Sequence, residues 1–208
     1  MTCPWRAITL AAVLALGGVS SAFAQTSDPA ASAPTSPSAP QADAPASRSD
    51  PFGEEVTLEP KTIIYLKGNS TWDKALESLI DAYKSVYALL DKQDIPRAGP
   101  AMTIYTQADD TGFGFQAAVP IAEAPKDLPK GDVAVGQSPS GKALKFVHRG
   151  SYDSMDNTYE AITNYLDEKR LEAADVFVEE YQTDPVTTDE DKFVVTIYVP
   201  IKQGAEKP

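Results

Sequence analysis

Two segments of this chain end the same way. "FGFQAAVPI" runs from Phe113 to Ile121 and "FVVTIYVPI" from Phe193 to Ile201. What precedes each ending is also alike. A β-rich run closing on a basic residue and Gly ("TIIYLKG", "KALKFVHRG") leads into an amphipathic stretch, then a second β-rich run ("AMTIYTQ", "DVFVEEYQT"), then the shared ending. The order strand, helix, strand, strand is thus written twice, over residues 61–121 and 142–201. One helix on a small sheet buries a single face, so two such units gain by joining their sheets. The expected fold class is α+β: duplicated β-α-β-β modules related by a pseudo-twofold axis, with a ligand cleft between them.

The helical stretches carry the spacing that this fold needs. Trp72, Leu76, Leu79, Ile80, Tyr83, Val86, Tyr87 and Leu90 recur in steps of three and four, as do Met155, Tyr159, Ile162 and Leu166. Ser70 with Asp73 three residues on reads as a capping box with Asp in the place of Glu. Between the units lies "EAPKDLPKGDVAVGQSPSG", a Pro/Gly-rich crossover with one extra strand at "DVAVG".

The front of the chain is read apart from the fold. Residues 1–24 hold one Arg, an apolar run and an Ala-x-Ala ending, the pattern of a secretory signal peptide. The apolar run is shorter than the ~20 residues a spanning helix needs, so no membrane span is expected after signal removal. Cys3, the one cysteine, falls in that segment. Residues 25–51 are rich in Pro, Ala and Ser and too poor in large apolar side chains to order themselves, so a disordered linker is expected. Residues 52–208 form the domain, and the expected location is periplasmic or secreted. A formal net charge of −12 speaks against tracking a nucleic-acid backbone.

Strand alternation sorts the domain's side chains into faces. Phe193, Val195, Ile197 and Val199 share an apolar face and are assigned to the helices, as are Phe113, Phe115, Ala117 and Val119. Met102, Ile104, Val176 and Val178 are assigned to the same side. The opposite, cleft side then collects Tyr105, Phe177, Glu179, Tyr181 and Tyr198. Ring faces attract cations, and a partly desolvated carboxylate wants a positive partner. One carboxylate among aromatic walls is the make-up of a small-molecule site. A bulge in the strand would exchange Glu179 for Glu180.

The second half resembles the GyrI-like small-molecule-binding domain family, which also serves as the effector-binding module of AraC-type and multidrug-responsive regulators. The matching pieces are the His-Arg-Gly-Ser-Tyr turn from His148, the helix with Tyr159, the Glu-x-Tyr-x-x-Asp-Pro run from Glu179 to Pro185, and the terminal Tyr-Val-Pro-Ile. The resemblance implies two β-α-β-β modules around an intermodule cleft that binds hydrophobic, often cationic compounds, with Glu179 contacting the ligand. No helix-turn-helix region accompanies it. The expected function is an exported protein that stacks an apolar cation on Trp72, Tyr105, Phe177, Tyr181 and Tyr198, with Glu179 as counter-ion, and needs no cofactor or metal. Three alternatives stand beside it. A hydrolase would use a cleft Glu as acid/base. A haem-binding domain would use His148, the one histidine. A protein-interaction domain would leave the pocket unused.

Overall fold

The computed structural model describes residues 52–125 and 132–206. The leader and linker expected at residues 1–24 and 25–51 lie outside the described residues. The elements are β1 (Glu54–Leu58), β2 (Thr62–Thr71), α1 (Ala75–Lys92), β3 (Met102–Ala108), β4 (Gly112–Pro120), β5 (Val133–Gln137), β6 (Gly141–Gly150), α2 (Met155–Lys169), β7 (Leu171–Ala173), β8 (Phe177–Tyr181) and β9 (Phe193–Glu206). One antiparallel sheet runs β1-β6-β9-β8-β3-β4-β2-β5, with β7 added on β9. The fold is α+β, as the sequence reading expects, and the extra strand at "DVAVG" is β5.

The strand order mirrors itself about the central pair. Outward from β3 come β4 and β2; outward from β8 come β9 and β6. The outermost strands change sides. β1 precedes the first helical unit but pairs with β6 of the second, and β5 precedes the second unit but pairs with β2 of the first. The two halves are thus stitched at the centre and at both rims. Neither β1 nor β7 stands out in the sequence. Their short, half-exposed runs carry charged residues, and pairing with a neighbour decides them.

Both helices lie on one face. α1 packs chiefly on β2 and β4, α2 on β6 and β7. Leu79, Tyr83, Val86 and Leu90 of α1, and Ile162 of α2, are buried against Phe115, Val119, Phe146, Val195, Ile197 and Val199. Each helix is entered through a short 3₁₀ turn, at Trp72–Lys74 and Tyr152–Ser154. The turn before α2 follows Gly150, whose φ of 122° suits only glycine. The capping box expected from Ser70 does not form. β2 runs on through Thr71, and the Ser70 hydroxyl bonds the Ser78 hydroxyl instead, at 2.8 Å.

The assignment of Met102, Ile104, Val176 and Val178 to the helix side is corrected. Ile104 pairs with Val178, and Met102 with Glu180. Together with Ile63 and Ala118, the buried members of this set form a second, smaller apolar cluster, on which Tyr65, Val176 and Tyr198 pack. That cluster faces away from the helices. Alternation separates two faces correctly but does not say which one a helix covers. The phase chosen for β3 and β8 was therefore inverted relative to β4 and β9.

Close packing makes one glycine a test of the core. Gly68 pairs with Phe115, and a Cβ on Gly68 would lie 2.4 Å from the Phe115 ring. Phe115 is 3% exposed and has little room to retreat. Gly68→Ala is expected to cost about 1–3 kcal/mol by overpacking, read as a lower urea midpoint with unchanged slope.

Candidate functional site

α1 packs chiefly on β2 and β4 and α2 on β6 and β7, and over the central pair β3 and β8 the helix side is filled by large rings. Tyr105 and Phe177 face each other across the β3–β8 pair, and Tyr181 follows two residues along β8. All three are buried. In their midst stands Glu179, 1% exposed, with Thr103 opposite on β3 and Ile197 opposite on β9. Pairing along β8 is regular, without a bulge, so Glu179 and not Glu180 turns to this face.

Three tyrosine hydroxyls donate to the carboxylate. Tyr105 and Tyr181 reach Oε2, each at 3.0 Å. Tyr159, from α2, reaches Oε1 at 2.6 Å. Next to them the Tyr83 hydroxyl of α1 bonds Thr103 Oγ1 at 2.7 Å, and its ring meets that of Tyr181 edge-on at 5.7 Å. Among the described residues no lysine, arginine or histidine forms an ion pair with Glu179. Burial pushes its carboxyl above the ordinary value of 4.5, while the tyrosine hydrogen bonds pull the other way. The phenols respond in turn. Burial first, then the Glu179 charge, pushes Tyr105 and Tyr181 well above the usual tyrosine range. Tyr152, in the turn before α2, is raised for the same two reasons and leans on the Tyr105 hydroxyl. These phenols are therefore hydrogen-bond donors that do not give up a proton near neutrality, which leaves Glu179 as the titrating group of the cluster.

The candidate residues divide by geometry. Tyr105, Phe177, Glu179 and Tyr181 come together. Trp72 is set back from the carboxylate. It lies against Phe113 with ring centroids 4.7 Å apart, Phe113 lies 5.2 Å from Tyr105, and the Trp72 indole N–H donates to the Asp109 carbonyl. Tyr198 does not join the group, which corrects its placement beside Glu179. It pairs with Val178, and directly paired residues share a face, so it points to the side away from the helices. Tyr159 and Tyr83 belong to the cluster; the sequence reading places both on helical stripes, and Tyr159 also among the pieces of the family resemblance, with no site role for either. The available signal was the hydroxyl itself, since a tyrosine placed on a core-facing stripe needs a partner for it.

His148 is placed otherwise. It is 4% exposed, with Nδ1 2.8 Å from the Thr158 hydroxyl and Nε2 3.1 Å from the Ser151 carbonyl. A carbonyl only accepts, so Nε2 carries the proton and Nδ1 accepts from Thr158. Both nitrogens are engaged in holding β6 to the start of α2, which leaves neither for a haem iron. No cluster of metal-ligating side chains occurs among the described residues, and no helix there is long and apolar enough to cross a membrane.

A raised carboxyl pKa has a definite sign in stability. The folded chain holds the Glu179 proton more tightly than the unfolded chain, so this contribution is complete below the ordinary carboxylate range. It is lost as pH rises through the folded pKa. The stability difference between wild type and Glu179→Gln, from denaturant unfolding at each pH, is therefore expected to move against wild type from about pH 4.5 upward. A flat difference would mean the carboxyl is not perturbed.

The family model described as the GyrI-like small molecule binding domain matches residues 54–202. Among solved structures, the chain is similar to EcmrR in its complex with DNA, at TM-score 0.62 and 13% identity over 72% of this chain and 57% of that one. It thus spans a little over half of EcmrR. The EcmrR C-terminal domain alone aligns at TM-score 0.56 and 12% identity, covering 72% of this chain and 96% of the domain. SAV2435 bound to tetraphenylphosphonium aligns at 0.52 and 16%, covering 73% and 94%. At these identities the likeness is one of fold. No curated protein matches the chain in sequence.

Proposed function

The chain belongs to the GyrI-like family of small-molecule-binding domains, and on that premise we propose that it holds an apolar cation against Glu179, among the large rings on the helix side of β3 and β8. One observation carries the reading: a carboxylate that is 1% exposed and has hydroxyls but no counter-ion among the described residues. Removing a carboxylate from water is costly, and here the fold has already done so. An arriving cation gains the attraction of an anion that needs no further dehydration. A bulky apolar cation also gives up little hydration of its own, and the surrounding ring faces add cation–π attraction of about 0.5–2 kcal/mol.

Glu179 is closed over in this conformation. Entry therefore requires Tyr152 and Tyr159, the half-buried rings beside it, to swing aside. Tyr159 lies on α2 and would exchange its hydrogen bond with the carboxylate for the ligand's charge. SAV2435, which shares the fold, is bound to tetraphenylphosphonium, which supports a lipophilic cation as the ligand class. The setting belongs to the same proposal. The leader-like residues 1–24 and the Pro/Ala/Ser-rich residues 25–51 support an exported, tethered domain that sequesters, delivers or reports such a molecule.

Thermal melting with tetraphenylphosphonium, the tetraphenylborate anion and neutral triphenylphosphine oxide tests this. The cation alone is expected to stabilise, by about 2.7 kcal/mol at 100 times its Kd. Glu179→Gln is expected to abolish the shift, and Tyr198→Ala to leave it intact. Affinity for the cation is expected to rise with pH through the Glu179 titration, because only the ionised form attracts it. Equal stabilisation by the borate, or an unchanged shift in Glu179→Gln, would refute the reading.

A further inference from the structure

β8 sends its next carboxylate the other way. Glu180 points to the face without helices, and its side chain is only 10% exposed. Gln182 Nε2 donates to its Oε1 at 2.9 Å, and Lys61 Nζ lies 2.8 Å from its Oε2. Lys61 belongs to the segment that leads from β1 into β2. That segment is tied to the loop after β5: the Ser138 N–H donates to the Lys61 carbonyl and the Lys61 N–H to the Ser138 hydroxyl, both at 2.9 Å. The two segments rim a cavity of about 210 Å³. Met102 and Val178 form its apolar floor, and the Tyr198 ring forms a wall. The carboxylate is buried and fixed, whereas the Lys61 side chain is 45% exposed.

We propose that this cavity is a second binding site, for small primary amines. The ligand's ammonium takes the place of Lys61 on Glu180, and its apolar body lies on Met102 and Val178. Lys61 shows what the site accepts, because it is itself an alkylammonium held by that carboxylate. The incoming ammonium carries the same charge, so Glu180 is never left unpaired, and Lys61, already 45% exposed, returns to solvent. Two residues before it in the same extended segment, the exposed Glu59 also lines the rim and receives the released charge. Glu180 accepts N–H donors here, which selects –NH₃⁺ over quaternary or phosphonium centres that have no N–H to donate. The cavity volume admits a single ring or a short alkyl chain. This site is independent of the Glu179 reading.

The methionines make the test direct. The chain has three, Met1, Met102 and Met155; Met102 floors this cavity and Met155 is buried on the helix side. The full chain, labelled with ¹³C at the methionine methyls, would be titrated with 2-phenylethylamine and separately with phenylacetate. The amine is expected to shift the Met102 signal saturably, leaving Met155 in place, and phenylacetate to do neither. Glu180→Gln is expected to abolish the shift and Glu179→Gln to preserve it. Lys61→Gln, or Lys61→Ala should the first fold poorly, removes the internal competitor without adding a methionine and is expected to tighten binding by up to about fivefold. The proposal falls if the amine produces no saturable Met102 shift in wild type, if the shift survives in Glu180→Gln, or if it disappears in Glu179→Gln. The last result would place the amine in the helix-side cluster instead.

Discussion

A carboxylate that pairs with no basic side chain among the described residues sits at the centre of this sheet, and the helix-side arrangement is built around it. Taking such a group out of water costs several kcal/mol. Three hydroxyl donors offset part of that cost, at about 1.5–3 kcal/mol each for bonds to a charged group. They come from β3 (Tyr105), β8 (Tyr181) and α2 (Tyr159). α1 joins one step away, through Tyr83 on Thr103, the residue paired with Glu179. Both halves of the sheet and both helices are therefore oriented toward one acidic side chain. An apolar residue there would avoid that desolvation cost, which is the ground for the cation-binding role proposed for Glu179.

Glu179 and Glu180 are neighbours in sequence and opposites in circumstance. The first faces the helices and is held by phenols, with no ion pair among the described residues. The second faces the other way and is held by Lys61 and Gln182. Burial raises the pKa of the first. One strand of five residues thus presents a phenol-held carboxylate on one side and a lysine-paired carboxylate on the other. Its place beside β3, at the mirror line of the strand order, puts both where the two halves of the chain meet.

Much of this was legible in the residues before any coordinates. The shared "VPI" ending and the repeated order around it lead to β2, α1, β3 and β4, to β6, α2, β8 and β9, and to a sheet joined at the centre. Period-two alternation chose Glu179 over Glu180 and grouped it with Tyr105, Phe177 and Tyr181. Alternation could not tell which face the helices cover. Tyr198 was misplaced for a related reason: strand faces correlate only through register, and its partner is Val178. The donors from the helices, Tyr159 and Tyr83, were hidden because helical spacing reports that a ring is inward, not what its hydroxyl meets. β1 and β7 were hidden because short polar edge strands exist through pairing rather than pattern.

A direct titration of the Glu179 carboxyl tests the proposed role of this side chain. With ¹³C-labelled glutamate, the Glu179 side-chain carbonyl, assigned by its loss in Glu179→Gln, would be followed against pH with and without tetraphenylphosphonium. The account predicts a pKa above the ordinary 4.5 in the free protein and a clear fall when the cation binds. An ordinary pKa in the free protein, unmoved by the cation, would contradict it.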